Sequence, residues 1–284
     1  MPELPEVETI VRALRHPTHW PFQAGGDLAL QPGVIGRQIS TANVLWDKTV
    51  AFPSAEVFKQ QIQGLQITGV SRRGKFLQIY LNAMTFLVHL RMSGDLRVEP
   101  DVEPLKLHDR LAITFTDGSR LVFNDTRKFG RVWLVQDPQS VTGALGPDPF
   151  DEDLTPGMFA GMLSSSRRRI KPLLLDQTFI AGVGNIYSDE ALFKAGIHPM
   201  TPANRIDEDG SVRLLAAIRS VLNEGIERNG ASIDWVYRGG TFQNQFNVYQ
   251  RAGQPCPRCS TPIQRMLVGQ RGTHFCPHCQ VMNL

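Results

Sequence analysis

Val7, Ile10, Val11 and Leu14 recur at helical spacing behind Pro5, Glu6 and Glu8, which predicts an amphipathic helix opening the chain. Proline suits the first helical turn, and acids suit the positive end of the helix dipole. A loop rich in Gly and Pro follows, from Pro17 to Pro32. The pattern then shortens to that of strands: Gln66–Arg72, Phe76–Leu81, Thr85–Leu90, Asp95–Glu99, Leu111–Thr116, Arg120–Asn124 and Arg131–Val135. Asp117-Gly118 is a favoured hairpin turn between two of them. These strands predict a β-sandwich or flattened barrel with the first helix packed on it. Gly143–Pro156, rich in Pro, Asp and Gly, reads as a linker. Beyond it the periodicity is helical over Met158–Leu163, Ile170–Leu175, Ile186–Lys194 and Ser211–Arg228. Thr155-Pro156 supplies an N-cap with proline at the first helical position. The fold class expected is therefore α+β and multidomain.

The composition is that of an ordinary soluble protein: 284 residues, 42% hydrophobic and 20% charged. No apolar run approaches membrane-spanning length, so no membrane partner is expected. The N-terminus lacks the basic segment and apolar core of a signal peptide, and an intracellular protein is expected. A net charge of +3 does not by itself imply nucleic acid. Its distribution changes the picture. Residues 251–284 hold Arg251, Arg258, Arg265 and Arg271 and no acid, and Arg167, Arg168, Arg169 and Lys171 crowd another short stretch. Such patches suit a phosphate-binding face, although each taken singly also reads as a solvated charge run.

Two stretches carry candidate chemistry. Cys256-x2-Cys259 and Cys276-x2-Cys279 are paired knuckles, a strong signal for one structural Zn2+ held by four thiolates. His274 and His278 flank the second knuckle and read as surface residues, since the cysteines already fill a tetrahedron. At the other end, Pro2 becomes a free secondary amine once Met1 is trimmed. An α-amino group has a pKa of roughly 7.7–8.0, so part of it is neutral near pH 7 and can attack a masked aldehyde. Glu3 and Glu6 lie within reach to move protons. On these residues alone, a plain helix cap is the favoured reading. The turn Ala181-Gly182-Val183-Gly184-Asn185 opens a helix and reads equally as a phosphate cradle or a simple connection.

Four segments together resemble a known family: M-P-E-L-P-E-V-E at the start, N-D-T-R-K-F-G at Asn124–Gly130, the run from Ile170 to Pro199, and the four-cysteine finger. In this order they are similar to bacterial formamidopyrimidine-DNA glycosylases, whose family also holds endonuclease VIII. The resemblance implies an N-terminal catalytic β-sandwich domain (residues 1–145), a helical helix–two-turn–helix domain (146–250) and a zinc finger (251–284). It implies removal of oxidised bases from double-stranded DNA, then β,δ-elimination at the abasic site. Pro2 is then the nucleophile, Glu3 its acid/base partner, and Glu6 a second acid that positions the nucleotide and the N-terminus. Lys75, in the Arg73-Gly74-Lys75 turn, contacts the phosphates at the lesion and assists the chemistry; read alone it is an exposed strand-start lysine. Asn185 and Arg271 pinch one phosphate, and Lys171 and His89 are further phosphate contacts. Met92, Arg127 and Phe129 fill the hole left by a flipped nucleotide, and their polar, turn-like settings predict exposed loop residues.

Two departures qualify the resemblance. Arg91 stands where a glycine is expected before Met92. The stretch Trp235–Tyr249 is short for the lid that closes over flipped 8-oxoguanine, which makes ring-opened purines the firmer expectation. The competing readings are an endonuclease VIII-type enzyme for oxidised pyrimidines and a non-catalytic zinc-finger protein that binds damaged DNA. A monomeric, cytoplasmic, nucleoid-associated bacterial protein is expected.

Overall fold

The computed structural model describes residues 1–16, 18–19, 30–31, 33–232 and 239–282. Most of the loop expected at Pro17–Pro32 and the start of the Trp235–Tyr249 stretch lie outside the described residues. The chain divides into two compact units, Met1–Ala144 and Leu145–Leu284.

The first unit opens with α1 (Leu4–Arg15) and continues through β1 (Thr18–His19), β2 (Leu30–Gln31), β3 (Ile39–Val44), β4 (Val50–Phe52) and α2 (Ala55–Ile62). Then come β5 (Ile67–Arg73), β6 (Phe76–Leu81), β7 (Thr85–His89), β8 (Gly94–Pro100), β9 (Asp109–Phe115), β10 (Ser119–Asp125), β11 (Arg131–Val135) and α3 (Gln139–Thr142). β3-β9-β10-β8 form one sheet and β4-β11-β7-β6-β5 the other. Pairing is antiparallel except between β4 and β11. This is the expected sandwich, with its strands within a residue or two of the predicted spans. β3, β4 and α2 lie where the hydrophobic pattern predicts no element. α2 buries only Phe58 and Ile62, one helical turn apart, and β3 alternates around polar Ser40, Thr41 and Asn43.

α1 packs on β5 and β6. Leu4, Val7, Ile10, Val11 and Leu14 are all buried, and each full burial contributes about 1.5–3 kcal/mol. Glu8 joins the helix to β5 through Arg72, at 3.0 Å, and Arg15 Nε donates to the Val70 carbonyl at 2.5 Å. The helix is therefore a rigid mount for the residues that precede it.

The second unit holds α4 (Pro156–Ser164), α5 (Ile170–Leu175), α6 (Asn185–Ala195), α7 (Glu208–Glu227), and the hairpin β12 (Gln264–Val268) and β13 (Arg271–Phe275). Thr155 caps α4 as expected, its hydroxyl accepting from the Met158 N–H at 3.2 Å. α6 and α7 pack closely. A Cβ on Gly225 of α7 would lie 2.6 Å from the ring of Tyr187 on α6, so only glycine permits this approach. Tyr187 is itself clamped from elsewhere, stacked on Phe242 at 5.0 Å. Among the described residues no helix is long and apolar enough to cross a membrane.

Candidate nucleic-acid interface and metal centre

Pro2, Glu3 and Glu6 are buried at the start of α1. Glu3 is the N-cap, and Glu6 Oε2 accepts the Glu3 N–H at 2.8 Å in a capping box. The helix cap read from the sequence is thus real, and it orients the segment carrying Pro2. Met1 is exposed.

Lys75 sits in the two-residue turn between β5 and β6, where Arg73 pairs with Phe76. Gly74 takes φ 55° at the first turn position, which favours glycine. Lys75 is buried, in contrast to the exposed strand-start lysine its local sequence suggests. His89, across the ladder from Phe76, is buried against the Phe76 ring at 4.6 Å. Burial, reinforced by the charges of Arg91 and Lys75, lowers its pKa to about 3. The imidazole is therefore neutral. Nδ1 accepts from the Arg91 N–H at 3.0 Å, so Nε2 carries the proton and can donate, but as a neutral group.

The turns that bear the three expected void-filling residues lie side by side. β8 and β10 pair with Asp125 opposite Gly94, which sets the turns before β8 and after β10 side by side. Met92 and Phe129 are exposed, 43% and 53%, as their polar settings predict. Arg127 Nη1 lies 3.5 Å from Met92 Sδ. Arg91, the departure from glycine, adopts φ 55°. The backbone there keeps the left-handed form a glycine would take, held by the bond to His89.

In the second unit, α6 begins at Asn185 with Gly184 as N-cap, and no carboxylate in its first turn offsets the positive end of its dipole. Asn185 Nδ2 donates to the Gly272 carbonyl at 3.2 Å. That bond seats Asn185 beside β13, whose first residue is the exposed Arg271. The β12–β13 turn has φ of 57° at Gly269 and 62° at Gln270, the mirror-image turn that suits a tight hairpin.

Two expectations are corrected here. Lys171 is not a surface cation: it is fully buried, its ammonium on Asp189, with the Gly272 carbonyl 3.3 Å away. A basic run read as one exposed patch thus sends one member inward. His274 is not a surface residue either. Its N–H donates to Asp189 Oδ2 at 2.9 Å, and its Nδ1 lies 3.3 Å from the same oxygen. His278 is exposed. Asp189 and Glu190, two buried carboxylates of α6, have no local signal that singles them out in the sequence. Glu190 accepts the N–H groups of Asn247, Val248 and Tyr249, each at 2.9 Å, and burial pushes its pKa up. It pins the end of the stretch that follows residues 233–238.

The four cysteine sulfurs lie within 4.8 Å of one another. Separations of 3.4, 3.5 and 3.9 Å exclude disulfides. They match the edges of a tetrahedron around a metal with Zn–S of about 2.3 Å. The Arg258 and Cys279 N–H groups donate to Cys256 and Cys276 Sγ, both at 3.4 Å. Four thiolates so arranged fit one structural zinc ion and leave no ligand position open for catalysis.

Known proteins share this architecture. Residues 27–132 match the formamidopyrimidine-DNA glycosylase N-terminal domain, 145–236 its H2TH domain, and 253–281 the zinc finger found in FPG and IleRS. The chain is 41% identical to the formamidopyrimidine-DNA glycosylase of Protochlamydia amoebophila, over 99% of both chains. It is 43% identical to that of Chloroflexus aurantiacus, over 99% of this chain and 98% of the relative. Lactococcus lactis FPG (MutM) in complex with FAPY-dG-containing DNA superposes with a TM-score of 0.86 at 35% identity, covering 98% of this chain and all of that one. MutM bound to DNA containing carbocyclic 8-oxo-G gives 0.87 at 35% identity, covering 99% and 100%. With matches from end to end, the chain belongs to the formamidopyrimidine-DNA glycosylase family.

Proposed function

We propose that this protein is a base-excision repair enzyme, a DNA glycosylase and abasic-site lyase acting on oxidised purines. The observation that carries the reading is the buried Pro2, set at the positive end of α1 beside Glu3, with Glu6 holding the Glu3 backbone. Once Met1 is removed, the Pro2 nitrogen attacks the sugar carbon that bears the damaged base. The base departs and an iminium remains, cationic without needing a proton because the amine is secondary. Glu3 helps open the sugar and relays protons through β- and δ-elimination. Strand cleavage on both sides leaves a gap with phosphates at both ends.

The reacting carbon is inaccessible inside the stack, so the nucleotide must be turned out, at a cost of a few kcal/mol. Met92 and Phe129 fill the void, and the Arg127 fork reads the orphaned base. Asn185 offers its second Nδ2 hydrogen to a phosphate oxygen, and Arg271 a guanidinium; Lys75 and the neutral His89 donate to phosphates near the lesion. Lys171 supports the Asn185–Arg271 pair from below. In this reading 1–145 carries the chemistry, 146–250 and 251–284 grip DNA, and the enzyme works as a cytoplasmic monomer at the nucleoid. The preferred lesion is a ring-opened purine, with 8-oxoguanine after it.

Borohydride reduction on abasic DNA tests the mechanism. A covalent adduct is expected, lost in Pro2→Gly; an adduct undiminished in that variant sinks it. A panel of 8-oxoguanine, ring-opened guanine and thymine glycol tests the substrate. Cleavage at thymine glycol with none at ring-opened guanine would establish the pyrimidine enzyme instead.

A further inference from the structure

Asp125 sits in the N-D-T-R-K-F-G segment, but the roles given above use only Arg127 and Phe129 from it. Its side chain is fully buried, and both its oxygens are taken up by donors of the protein. Oδ1 accepts from the Ser93 hydroxyl and from the Arg127 N–H at 3.2 Å, and Oδ2 accepts from the Gly130 N–H at 2.7 Å. The Ser93 hydroxyl also accepts from the Arg127 N–H, at 3.2 Å. Ser93 follows Met92, and Gly130 follows Phe129. One carboxylate therefore ties the turn bearing Met92 to both ends of the turn bearing Arg127 and Phe129. The backbone of Asp125 is fixed in its own right: its N–H donates to the His108 carbonyl at 2.9 Å, and its carbonyl accepts from Arg110 Nε at 2.8 Å. Gly130 lies close against Phe123: a Cβ there would be 2.4 Å from the ring, so no larger residue fits.

Each oxygen of the carboxylate accepts from at least one of these groups, and the Arg127 and Gly130 N–H groups can only donate. An amide of the same shape turns an NH2 group toward one of them and leaves a buried donor unpaired. From this geometry we infer that Asp125 is the positioning residue of the void-filling set. It fixes the spacing of Met92 from Arg127 and Phe129, and with it the ability to hold a duplex open around a displaced nucleotide. The inference rests on the glycosylase reading above.

The test compares borohydride trapping rates of the wild type, Asp125→Asn and Ser93→Ala on one abasic site in two settings. In the first it lies in a duplex opposite a base. In the second it lies in a single strand, with no partner base and no void to fill. Misplacing the set by about 1 Å is expected to slow Asp125→Asn roughly 10- to 100-fold on the duplex. Ser93→Ala, which releases the Met92 turn alone, should slow less. Both variants should keep the wild-type rate on the single strand. Equal slowing on both substrates would reduce Asp125 to a general stabiliser, and wild-type duplex rates would remove it from the account. If Asp125→Asn does not fold, the duplex-to-single-strand ratio of Ser93→Ala decides alone. A wild type that traps neither substrate fails the enzymatic reading itself, an outcome distinct from failure at Asp125.

Discussion

Lys171→Met separates two roles for the second unit's buried lysine. If Lys171 held a DNA phosphate, its loss would weaken binding and lower the salt-dependence slope by about 0.9 while leaving the fold intact. The structure requires a different outcome. Lys171 and Asp189 are both fully buried, and Asp189 also takes the His274 N–H. Removing the ammonium leaves an uncompensated buried carboxylate, which costs about 3–5 kcal/mol. For a unit of this size each kcal/mol lowers the melting temperature by about 3 °C, so a fall of roughly 10–15 °C is expected. Asp189→Asn should cost a similar amount by orphaning the lysine. The double variant Lys171→Met/Asp189→Asn should cost clearly less than the sum, because neither charge is then left alone. Thermal melts of the four proteins measure the coupling, and DNA titrations at several salt concentrations, run below the melts, measure the slope. An unchanged melting temperature with a slope reduced by one phosphate contact would refute the buried-pair reasoning.

Three further outcomes follow from single sites. His89 is held neutral with its pKa lowered to about 3, against 6.5 when unfolded. The unfolded chain therefore binds the extra proton first, and the stability due to neutral His89 is complete above pH 6.5. It is lost as pH falls toward 3, by about 1.4 kcal/mol per unit. Denaturant melts of His89→Gln should show a correspondingly flatter pH dependence between pH 6.5 and 5, and parallel curves would contradict the assignment. Gly225→Ala gains about 1 kcal/mol of helix propensity but drives a Cβ to 2.6 Å from a Tyr187 ring that Phe242 holds in place. Overpacking costs about 1–3 kcal/mol, so the melting temperature should fall, and a rise would show that the ring can move. Cys276→Ser should reduce bound zinc and DNA affinity while the β-rich unit keeps its circular-dichroism signature; full affinity without zinc would take the finger out of DNA binding.

The strands of the sandwich and the helices after Thr155 were legible because each depends on its own residues. Alternation, caps and turn types such as Asp117-Gly118 act over a few positions. Among the elements that escaped, β3 and β4 have weak local patterns and owe their form to partners far along the chain, β3 to β9 and β4 to β11. Site residues divide the same way. Met92 and Phe129 could be read as exposed from their polar turns, whereas Lys75 looked exposed and is buried.

The sequence by itself determined the chemistry this protein can carry. A proline at position 2 followed by acids at positions 3 and 6, four cysteines in paired knuckles, and a glycine-rich turn ending in Asn185 are all local facts of spacing. Only the tertiary structure decided how those groups are held. Asp125 meets Ser93 across 32 positions, Asp189 meets His274 across 85, and Glu190 meets Tyr249 across 59. Whether a carboxylate faces solvent or accepts buried N–H groups depends on which distant strands and turns fold against it. No local pattern encodes that, because the cost of burying a charge is set by the partners that arrive, not by the residue itself.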